Sequence, residues 1–227
     1  MVYKKLEELK DKHKGEDIWG LCAGSSMNYI SSDFFENKLV IGQNDVFKHY
    51  PCDYVLMKDC MEEPRFPRAI QKLNSINIPL IFCEYFQGHY SKPKNTPQHD
   101  NAYVFKHNKR VKTFEEELSE LSDEEIIVSR SSVTSLIHVA AYMGAKNIIL
   151  VGHDCGRLDG DLYYDGYTEQ DWISAGNWVD ADKFMGELEV QTQAVRAFLK
   201  QKYDCNIHSL NPFLNFGLEG HIYEKSR

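Results

Sequence analysis

Several short polar motifs directly follow apolar segments of the sequence, and one of them suits a phosphate-containing ligand. Gly24-Ser25-Ser26 follows the apolar segment 17–23 and precedes a predicted helix. A turn of small residues at a helix N-terminus exposes backbone N–H groups, which favour a phosphate. The turn matches neither the dinucleotide-binding pattern GxGxxG nor the P-loop pattern. Taken alone, it fits a tight turn that binds no ligand equally well.

Other candidate site residues lie at comparable positions, after a predicted strand or at a predicted helix start. They are Asn44, Ser131, Ser132, Gly152, His153 and Asp154. Most of them also have a structural explanation, because Asn44 and Asp154 suit turns and Ser131 suits a helix N-cap. A histidine titrates near neutral pH and suits a general base, but His153 is equally a candidate for a hydrogen-bonded structural residue.

The elements that position these residues alternate between apolar strands and helices. The pattern predicts strands over 17–23, 39–42, 54–57, 79–83, 102–105, 126–129, 147–152 and 205–208. It predicts helices over 3–14, 26–35, 65–75, 113–121, 132–143 and 182–202. This alternation indicates a doubly wound, mostly parallel, Rossmann-like α/β sheet with helices on both faces. Such sheets bind ligands at the carboxyl ends of their strands, where the candidate residues fall.

The chain has 227 residues, which fits a single domain, and residues 155–180 stand out within it. This stretch has no firm periodicity and is rich in Gly, Tyr, Trp and Asp, so we predict an irregular lid over the carboxyl edge of the sheet. Its neighbouring tyrosines suit either hydrogen bonds to a ligand or an aromatic cluster. Trp172 and Trp178 are candidates to anchor the lid or to form a contact between copies of the chain, which leaves a homo-oligomer open.

Charge and composition disfavour several classes of function. The chain carries 26 Lys and Arg against 34 Asp and Glu, and this net charge of −8 disfavours binding to nucleic acid or anionic membranes. No stretch approaches 18 consecutive apolar residues, and the charged residues 1–16 differ from a secretory signal, so we expect no transmembrane segment. Six cysteines without a CxxC pair predict reduced thiols in a cytoplasmic protein. Cysteines and histidines lack metal-binding spacing, so we expect no metal site.

The order of the strand-end motifs resembles that of the bacterial sialyltransferases of glycosyltransferase family 42. It also resembles the wider DUF115 group of flagellin-glycosylation and pterin pyrophosphokinase-like proteins. The motifs are the GSS turn, GQN at 42–44, RSSVTS at 130–135 and MGAKNIILVGHD at 143–154. The resemblance covers residues 17–154 and, more loosely, 187–212. The first turn departs from the family pattern, since it has Ala23-Gly24-Ser25 where the family has Asn-Gly-Pro.

The resemblance implies a site for a CMP-sugar. The implied nucleotide contacts are Gly24, Ser25, Ser26, Asn44, Ser132, Gly152 and Asp154. In the family, the positions of Gly24 and Ser26 line the phosphate and ribose, and that of Asn44 contacts the nucleoside. The position of Ser132 contacts the phosphate, and those of Gly152 and Asp154 hold the ribose or the cytosine.

The resemblance also implies catalytic roles at the lid and the last helix. The family's lid supplies tyrosines that hydrogen-bond the leaving phosphate, and the candidates here are Tyr163, Tyr164 and Tyr167. The family uses a histidine as general base, and Glu187 falls near that position. His153 is the second candidate for the base.

Three functions follow as alternatives. The first is a glycosyltransferase that uses a CMP-sugar without a metal or other cofactor and transfers the sugar to a small glycan or another hydroxyl acceptor. The second is a pterin pyrophosphokinase-like enzyme that needs ATP and Mg²⁺, with Asp45, Asp59 and Asp154 as candidate carboxylates around the metal. The third is a nucleotide-binding module without catalytic activity.

Overall fold

Eight strands form one sheet in the structure, a computed structural model that describes residues 2–58, 66–84, 98–106, 113–128, 131–167, 181–210 and 218. They are β1 (Lys4–Lys5), β2 (Asp17–Leu21), β3 (Leu39–Gln43), β4 (Tyr54–Leu56), β5 (Leu80–Cys83), β6 (Ala102–Phe105), β7 (Asn147–Val151) and β8 (Asn206–Ser209). Their order is β1-β6-β5-β4-β3-β2-β7-β8, and every pair of neighbours is parallel. The predicted α/β class with a parallel sheet is therefore confirmed.

The longer helices begin and end close to their predicted bounds. They are α1 (Phe66–Ser75), α2 (Phe114–Glu120), α3 (Ser132–Tyr142) and α4 (Ala181–Tyr203). At the start of α2, Thr113 Oγ1 accepts from Glu116 N at 3.2 Å, and Glu116 Oε2 accepts from Thr113 N at 3.1 Å. This reciprocal pair is the capping box that the sequence predicts.

Two predicted helices are wrong in type. The segment 3–14 contains the short strand β1 and a 3-10 helix, Leu6–Leu9, because the backbone then binds the end of α3 instead of continuing a helix. Asp11 N donates to Tyr142 O at 3.1 Å, and the positive φ of Asp11 turns the chain. The segment 26–35 forms two 3-10 helices, Ser25–Tyr29 and Ser32–Phe35, rather than one α-helix.

The predicted strand at 126–129 is also wrong within its described part. Ile127 N donates to His138 Nδ1 at 3.1 Å, and Val128 N donates to Glu117 Oε1 at 2.6 Å. Side chains therefore satisfy the backbone groups that a neighbouring strand would otherwise bind. The segment is buried, as its apolar residues predict. Its one contact of the sheet type lies just beyond β6, where Ile126 N donates to Lys106 O at 3.1 Å beside an isolated bridge between Lys106 and Glu125, so residues 126–128 form no strand.

Helices cover both faces of the sheet. Along β7, Ile148 and Leu150 pack on one face together with α3 and α4. Ile149 and Val151 pack on the opposite face with the first 3-10 helix after β2. The helix α1 packs against β4 and β5 on this second face. The alternation along β7 is what a central strand of a doubly wound sheet requires.

The strand order reverses between β2 and β7. After β2 the chain builds β3, β4 and β5 outward on one side, and β7 and β8 later occupy the other side. Ligands of such sheets bind outside the carboxyl ends of the strands at this switch point. The residues that follow β2 and β7 are therefore the first place to look for a site.

The described part of the predicted lid, residues 155–167, contains no helix or strand. The remainder, 168–180, lies outside the described residues, together with Trp172 and Trp178. Within the described residues, no helix combines the length and the apolar character that crossing a membrane requires. Among the described residues, five cysteines form no disulfide: Cys22, Cys52, Cys83, Cys155 and Cys205.

Candidate functional site

The candidate site lies where the ends of β2 and β7 run side by side. Leu21 pairs with Val151 in the parallel register. Beyond this pair, Cys22 N donates to Val151 O at 2.8 Å, and Gly24 N donates to Gly152 O at 2.7 Å. The two chains therefore stay in contact past the ends of the strands, as far as the first turn.

Two glycines allow this close approach. A Cβ on Gly24 would lie 2.4 Å from Asp154 Oδ2 and 2.6 Å from Gly152 O. Gly152 has a φ of +71°, and a Cβ there would lie 2.5 Å from Cys22 O. Both positions need glycine because of protein packing. The roles of Gly24 and Gly152 in nucleotide binding stay predictions.

The buried Asp154 carboxylate holds the turn after β2. Its Oδ2 accepts from Ser26 N at 2.8 Å, and its Oδ1 accepts from Ser26 Oγ at 2.5 Å. Burial raises the pKa of Asp154, while the hydrogen bonds from Ser26 act in the opposite direction. An ionised carboxylate offers about four lone-pair sites, so these bonds leave capacity for a ligand hydroxyl.

Ser25 connects this turn to the described part of the lid. Ser25 Oγ donates to Asp161 O at 2.8 Å. Nearby, Tyr164 N donates to Ala23 O at 3.1 Å. Asp161 and Tyr164 therefore lie at the carboxyl edge of the sheet, and the role of residues 155–180 as a lid stays a prediction. The Ser25 hydroxyl serves this attachment, and its role toward a nucleotide stays a prediction.

Asn44 follows β3 at the same edge and carries a buried amide oxygen. Its φ of 51° lies in the left-handed region, which asparagine tolerates better than most residues. The side chain is 8% exposed, and its Oδ1 has no hydrogen-bond partner among the described residues. Such an atom costs free energy until a donor reaches it. A ligand N–H or O–H group would satisfy it.

The start of α3 provides a second helix N-terminus. Ser131 Oγ accepts from Val133 N at 3.2 Å, which confirms the N-cap explanation for Ser131. Ser132 is the first helical residue and is nearly buried. Because α3 leads into β7 of a parallel sheet, its N-terminus lies at the carboxyl edge, where a phosphate is favoured.

A buried lysine beside this helix start has no role among those that the resemblance implies. Lys58 follows β4, is 1% exposed and donates from Nζ to Val128 O at 2.9 Å. Glu117, also buried, accepts from Val128 N at 2.6 Å. The two charged side chains hold the Val128 peptide units shortly before Ser131. The signal in the sequence is weak, since it is only a lysine directly after an apolar strand.

His153 is a buried and neutral histidine. Its Nε2 lies 2.8 Å from Thr192 Oγ1, and that hydroxyl donates to Leu188 O at 2.8 Å. Because the threonine proton is already engaged, His153 is the donor in the first of these bonds. Burial lowers the pKa of His153 to about 4. A base with so low a pKa is weak at neutral pH, so this geometry favours a structural role.

The lid tyrosines pack into an aromatic cluster. The ring centroids of Tyr163 and Tyr167 lie 5.4 Å apart, and those of Tyr164 and Tyr50 lie 5.6 Å apart. An isolated antiparallel bridge with Gly24 places Tyr163 beside the turn after β2. Tyr164 is 4% exposed, and burial raises its pKa, so its hydroxyl stays protonated. All three rings therefore pack in one cluster, and the roles of their hydroxyls toward a ligand stay predictions.

Glu187 lies in the first part of α4. Since α4 leads into β8, which is parallel to β7, its N-terminal end also lies at the carboxyl edge. Glu187 is half-buried. One helical turn later, Gln191 is buried, and its Oε1 has no hydrogen-bond partner within the described ranges. Of the two base candidates, Glu187 is the one that solvent reaches.

The structure brings most of the predicted nucleotide-binding residues into one network of contacts. The members of this network are Gly24, Ser25, Ser26, Gly152 and Asp154. Asn44 and Ser132 share the same edge because β3 ends there and α3 begins there. In the described part of the chain, no three His, Cys, Asp or Glu side chains are grouped so that they could hold a metal ion. Asp59 lies outside the described residues.

The fold is similar to that of two solved sialyltransferases. The crystal structure of the sialyltransferase CST-II in complex with a trisaccharide acceptor and CMP aligns with a TM-score of 0.50 and 16% identity, over 87% of this chain and 82% of that one. The monofunctional alpha-2,3-sialyltransferase Cst-I from Campylobacter jejuni aligns with a TM-score of 0.51 and 15% identity, over 86% of this chain and 76% of that one. No protein-family model matches the chain, and no curated protein matches it by sequence.

Both neighbours are sialyltransferases, and the family that the strand-end motifs resemble is also one of sialyltransferases. At 15–16% identity they establish a shared fold. The resemblance to the DUF115 group stays a prediction.

Proposed function

We propose that this chain is a glycosyltransferase that uses a nucleotide-sugar donor, and that the donor is a CMP-sugar. One observation carries the proposal: the turn Gly24–Ser26, held by Asp154, lies at the switch point between β2 and β7. This is the position at which doubly wound sheets bind nucleotides. The similarity in fold to a sialyltransferase solved with CMP supports the choice of cytidine.

The polar groups at the edge suit the parts of a CMP-sugar. The Ser25 N–H, which is the backbone donor of the first turn that Gly152 and Asp154 do not engage, and the N-terminus of α3 at Ser132 would bind the phosphate. The Asp154 carboxylate would accept hydrogen bonds from ribose hydroxyls. The buried Asn44 Oδ1 would accept a hydrogen bond from the nucleoside, which removes the cost of leaving it without a partner.

The proposed reaction is a direct displacement at the anomeric carbon. The acceptor oxygen forms a bond to that carbon while the bond to the phosphate oxygen breaks, and its electron pair leaves with CMP. Glu187 would take the proton of the acceptor hydroxyl, since it is more accessible than His153. Tyr163, which lies beside the turn that would hold the phosphate, would donate a hydrogen bond to the leaving group. The proposed reaction uses no metal or other cofactor.

The pyrophosphokinase alternative requires carboxylates that are free to bind Mg²⁺. Asp45 Oδ2 pairs with Lys48 Nζ at 2.8 Å, and the described residues bring no three Asp, Glu, His or Cys side chains together for a metal ion. This arrangement favours the transferase. The third alternative, a binding module, predicts nucleotide affinity without turnover.

Phosphorus NMR distinguishes the three alternatives. CMP-N-acetylneuraminic acid is incubated with the protein and a panel of small glycans, without added divalent cation, and the phosphodiester signal is followed. We expect it to be replaced by the signal of CMP, faster with an acceptor than without. Conversion of ATP to AMP in the presence of Mg²⁺ and a hydroxymethylpterin would instead establish the pyrophosphokinase. CMP binding without consumption of any CMP-sugar would indicate the binding module.

The Glu187→Gln and Tyr163→Phe variants test the assigned roles. Loss of a positioned general base costs about 10²–10⁴-fold in turnover, and Glu187→Gln should lower turnover by that much with CMP affinity unchanged. Tyr163→Phe should lower turnover by a smaller factor. His153→Gln is the control, and its turnover should stay close to that of the parent protein at neutral pH.

A further inference from the structure

A tight two-residue turn lies within residues 157–165, a segment that we call the strap. Leu158 and Asp161 form an isolated antiparallel bridge, and the N–H of each donates to the carbonyl of the other at 3.1 Å. Between them, Asp159 and Gly160 have φ angles of 54° and 93°. An Asp-Gly pair with positive φ at both residues is typical of two-residue hairpin turns. The tip of the strap therefore has a defined backbone conformation.

The hydroxyl of Ser25 joins both ends of this turn to the segment that follows β2. It donates to Asp161 O at 2.8 Å and accepts from Leu158 N at 3.3 Å. Ser25 is 2% exposed, so little water reaches these hydrogen bonds, and hydrogen bonds are stronger in such surroundings. One side chain thus binds a donor and an acceptor on the two sides of the turn.

The next residues of the strap contact the same segment through their backbone. Tyr163 forms an isolated antiparallel bridge with Gly24, and Tyr164 N donates to Ala23 O at 3.1 Å. The bridge begins only two residues after Asp161. The position of Tyr163 therefore depends on where the turn before it is held.

The backbone and the side chain of Ser25 have different partners. Its N–H belongs to the first turn of the 3-10 helix after β2 and is the donor that the proposed function assigns to the phosphate. Its hydroxyl is engaged by the strap. One residue therefore lies between the proposed phosphate position and the segment that carries Tyr163.

We propose that Ser25 is a positioning residue, whose hydroxyl holds the strap against the phosphate-binding turn and so places Tyr163 beside that turn. The role of Tyr163 as donor to the leaving group rests on the proposed function. The attachment of the strap through the Ser25 hydroxyl does not rest on it.

Amide hydrogen exchange of the full chain without nucleotide measures the attachment. Ser25→Ala should speed the exchange of the Leu158 and Tyr164 amides by about 3- to 10-fold, the factor for one net hydrogen bond. Ser75→Ala is the matched control, because it removes a hydroxyl that donates to Lys72 O at 2.6 Å at the exposed end of α1. It should change both rates less than twofold. Unchanged exchange in Ser25→Ala would overturn the inference.

Turnover of a CMP-sugar tests whether the hydroxyl acts through Tyr163. All variants are assayed well below their melting temperatures. Ser25→Ala keeps the backbone N–H, so kcat should fall by about threefold or more while the dissociation constant of CMP changes less than twofold. In the Tyr163→Phe background, the same change should lower kcat less than twofold, because the hydroxyl that Ser25 positions is already absent.

Two kinetic results would contradict this role. Equal fold-losses of kcat in the two backgrounds would show that Ser25 acts independently of Tyr163. A weaker binding of CMP by Ser25→Ala with an unchanged kcat would show that the hydroxyl contacts the nucleotide instead.

The two proposals fail in different measurements. Faster amide exchange in Ser25→Ala, in a protein that consumes no CMP-sugar, would retain the attachment of the strap and reject the transferase. Turnover of a CMP-sugar, in a protein whose amide exchange does not respond to Ser25→Ala, would retain the transferase and reject Ser25 as a positioning residue.

Discussion

Ser26 and Asp154 are joined by two hydrogen bonds although 128 residues separate them in the sequence. The Ser26 N–H donates to one carboxylate oxygen at 2.8 Å, and its hydroxyl donates to the other at 2.5 Å. Because one residue follows β2 and the other follows β7, this pair connects the two strand ends at the switch point. The shape of the candidate phosphate-binding turn therefore depends on the carboxylate.

A double-mutant cycle measures this dependence. Ser26→Ala and Asp154→Ala should each lower the free energy of unfolding by about 1–3 kcal/mol, because each leaves a buried polar group without its partner. The double variant should lose less than the sum, by a coupling energy of about 0.5–3 kcal/mol. Urea-induced unfolding gives the free energy of unfolding of the parent protein, the two single variants and the double variant. Strictly additive losses would show that the two residues act independently.

Gly24→Ala should destabilise the protein by about 1–3 kcal/mol through overpacking. The added Cβ would meet Asp154 Oδ2 at 2.4 Å, and the hydrogen bonds from Ser26 restrain that carboxylate. Gly156→Ala is the matched control, because a Cβ there would meet only Asp154 O at 3.9 Å. The control should stay within about 0.5 kcal/mol of the parent protein. Equal melting temperatures of the two variants would contradict the close approach.

Because two histidines are buried, we expect the free energy of unfolding to fall on acidification. Burial lowers the pKa of His153 to about 4 and that of His138 to about 3, whereas both titrate near 6.5 in the unfolded chain. The unfolded state therefore binds more protons below pH 6.5, and stability falls as the pH falls from 6.5 toward these values. At pH 5 each histidine should cost about 2 kcal/mol relative to pH 7.

The matched variants His153→Gln and His138→Gln remove one titration each. The loss of unfolding free energy between pH 7 and pH 5 should be smaller in each variant than in the parent protein by about 2 kcal/mol. Denaturant unfolding at the two pH values measures the difference. A variant that loses as much stability as the parent protein would mean that its histidine is not held neutral.

Lys58→Met should lower the free energy of unfolding by about 1–3 kcal/mol, because the buried Val128 carbonyl loses its donor. Lys200→Met serves as the control, since Lys200 pairs with Asp204 on the surface and such exposed pairs contribute little to stability. Thermal unfolding of both variants and of the parent protein measures the two losses of stability. A larger loss in Lys200→Met than in Lys58→Met would contradict the buried position of Lys58.

The sheet was predictable from the sequence where each strand is apolar by itself. β7 is a continuous apolar run, so its end can be read from the sequence. The residues that follow that end must then lie at the carboxyl edge of the sheet. The segment 126–129 is equally apolar, but the N–H groups of Ile127 and Val128 donate to the side chains of His138 and Glu117, each of which is 11 residues away in the sequence. Apolar character predicts burial at such a segment and does not reveal which groups bind its backbone.

The candidate site was predictable in its location more than in its contacts. Asp154 follows a buried strand, so its place at the carboxyl edge follows from the parallel topology. That its carboxylate binds Ser26 depends on two strand ends meeting in space, which local pattern does not encode. The buried state of His153 depends in the same way on Thr192 of a later helix.

The binding of CMP to the full chain tests the central claim most directly. Thermal unfolding is followed with CMP, UDP, GDP and ATP, each with and without Mg²⁺, in the parent protein and in Asn44→Ala. CMP at about 100 times its dissociation constant should stabilise the protein by about 2.7 kcal/mol, a rise in Tm of about 5–10 °C. CMP should give the largest rise, independent of Mg²⁺, and Asn44→Ala should reduce it. No rise with CMP, together with a rise with ATP and Mg²⁺, would contradict the claim.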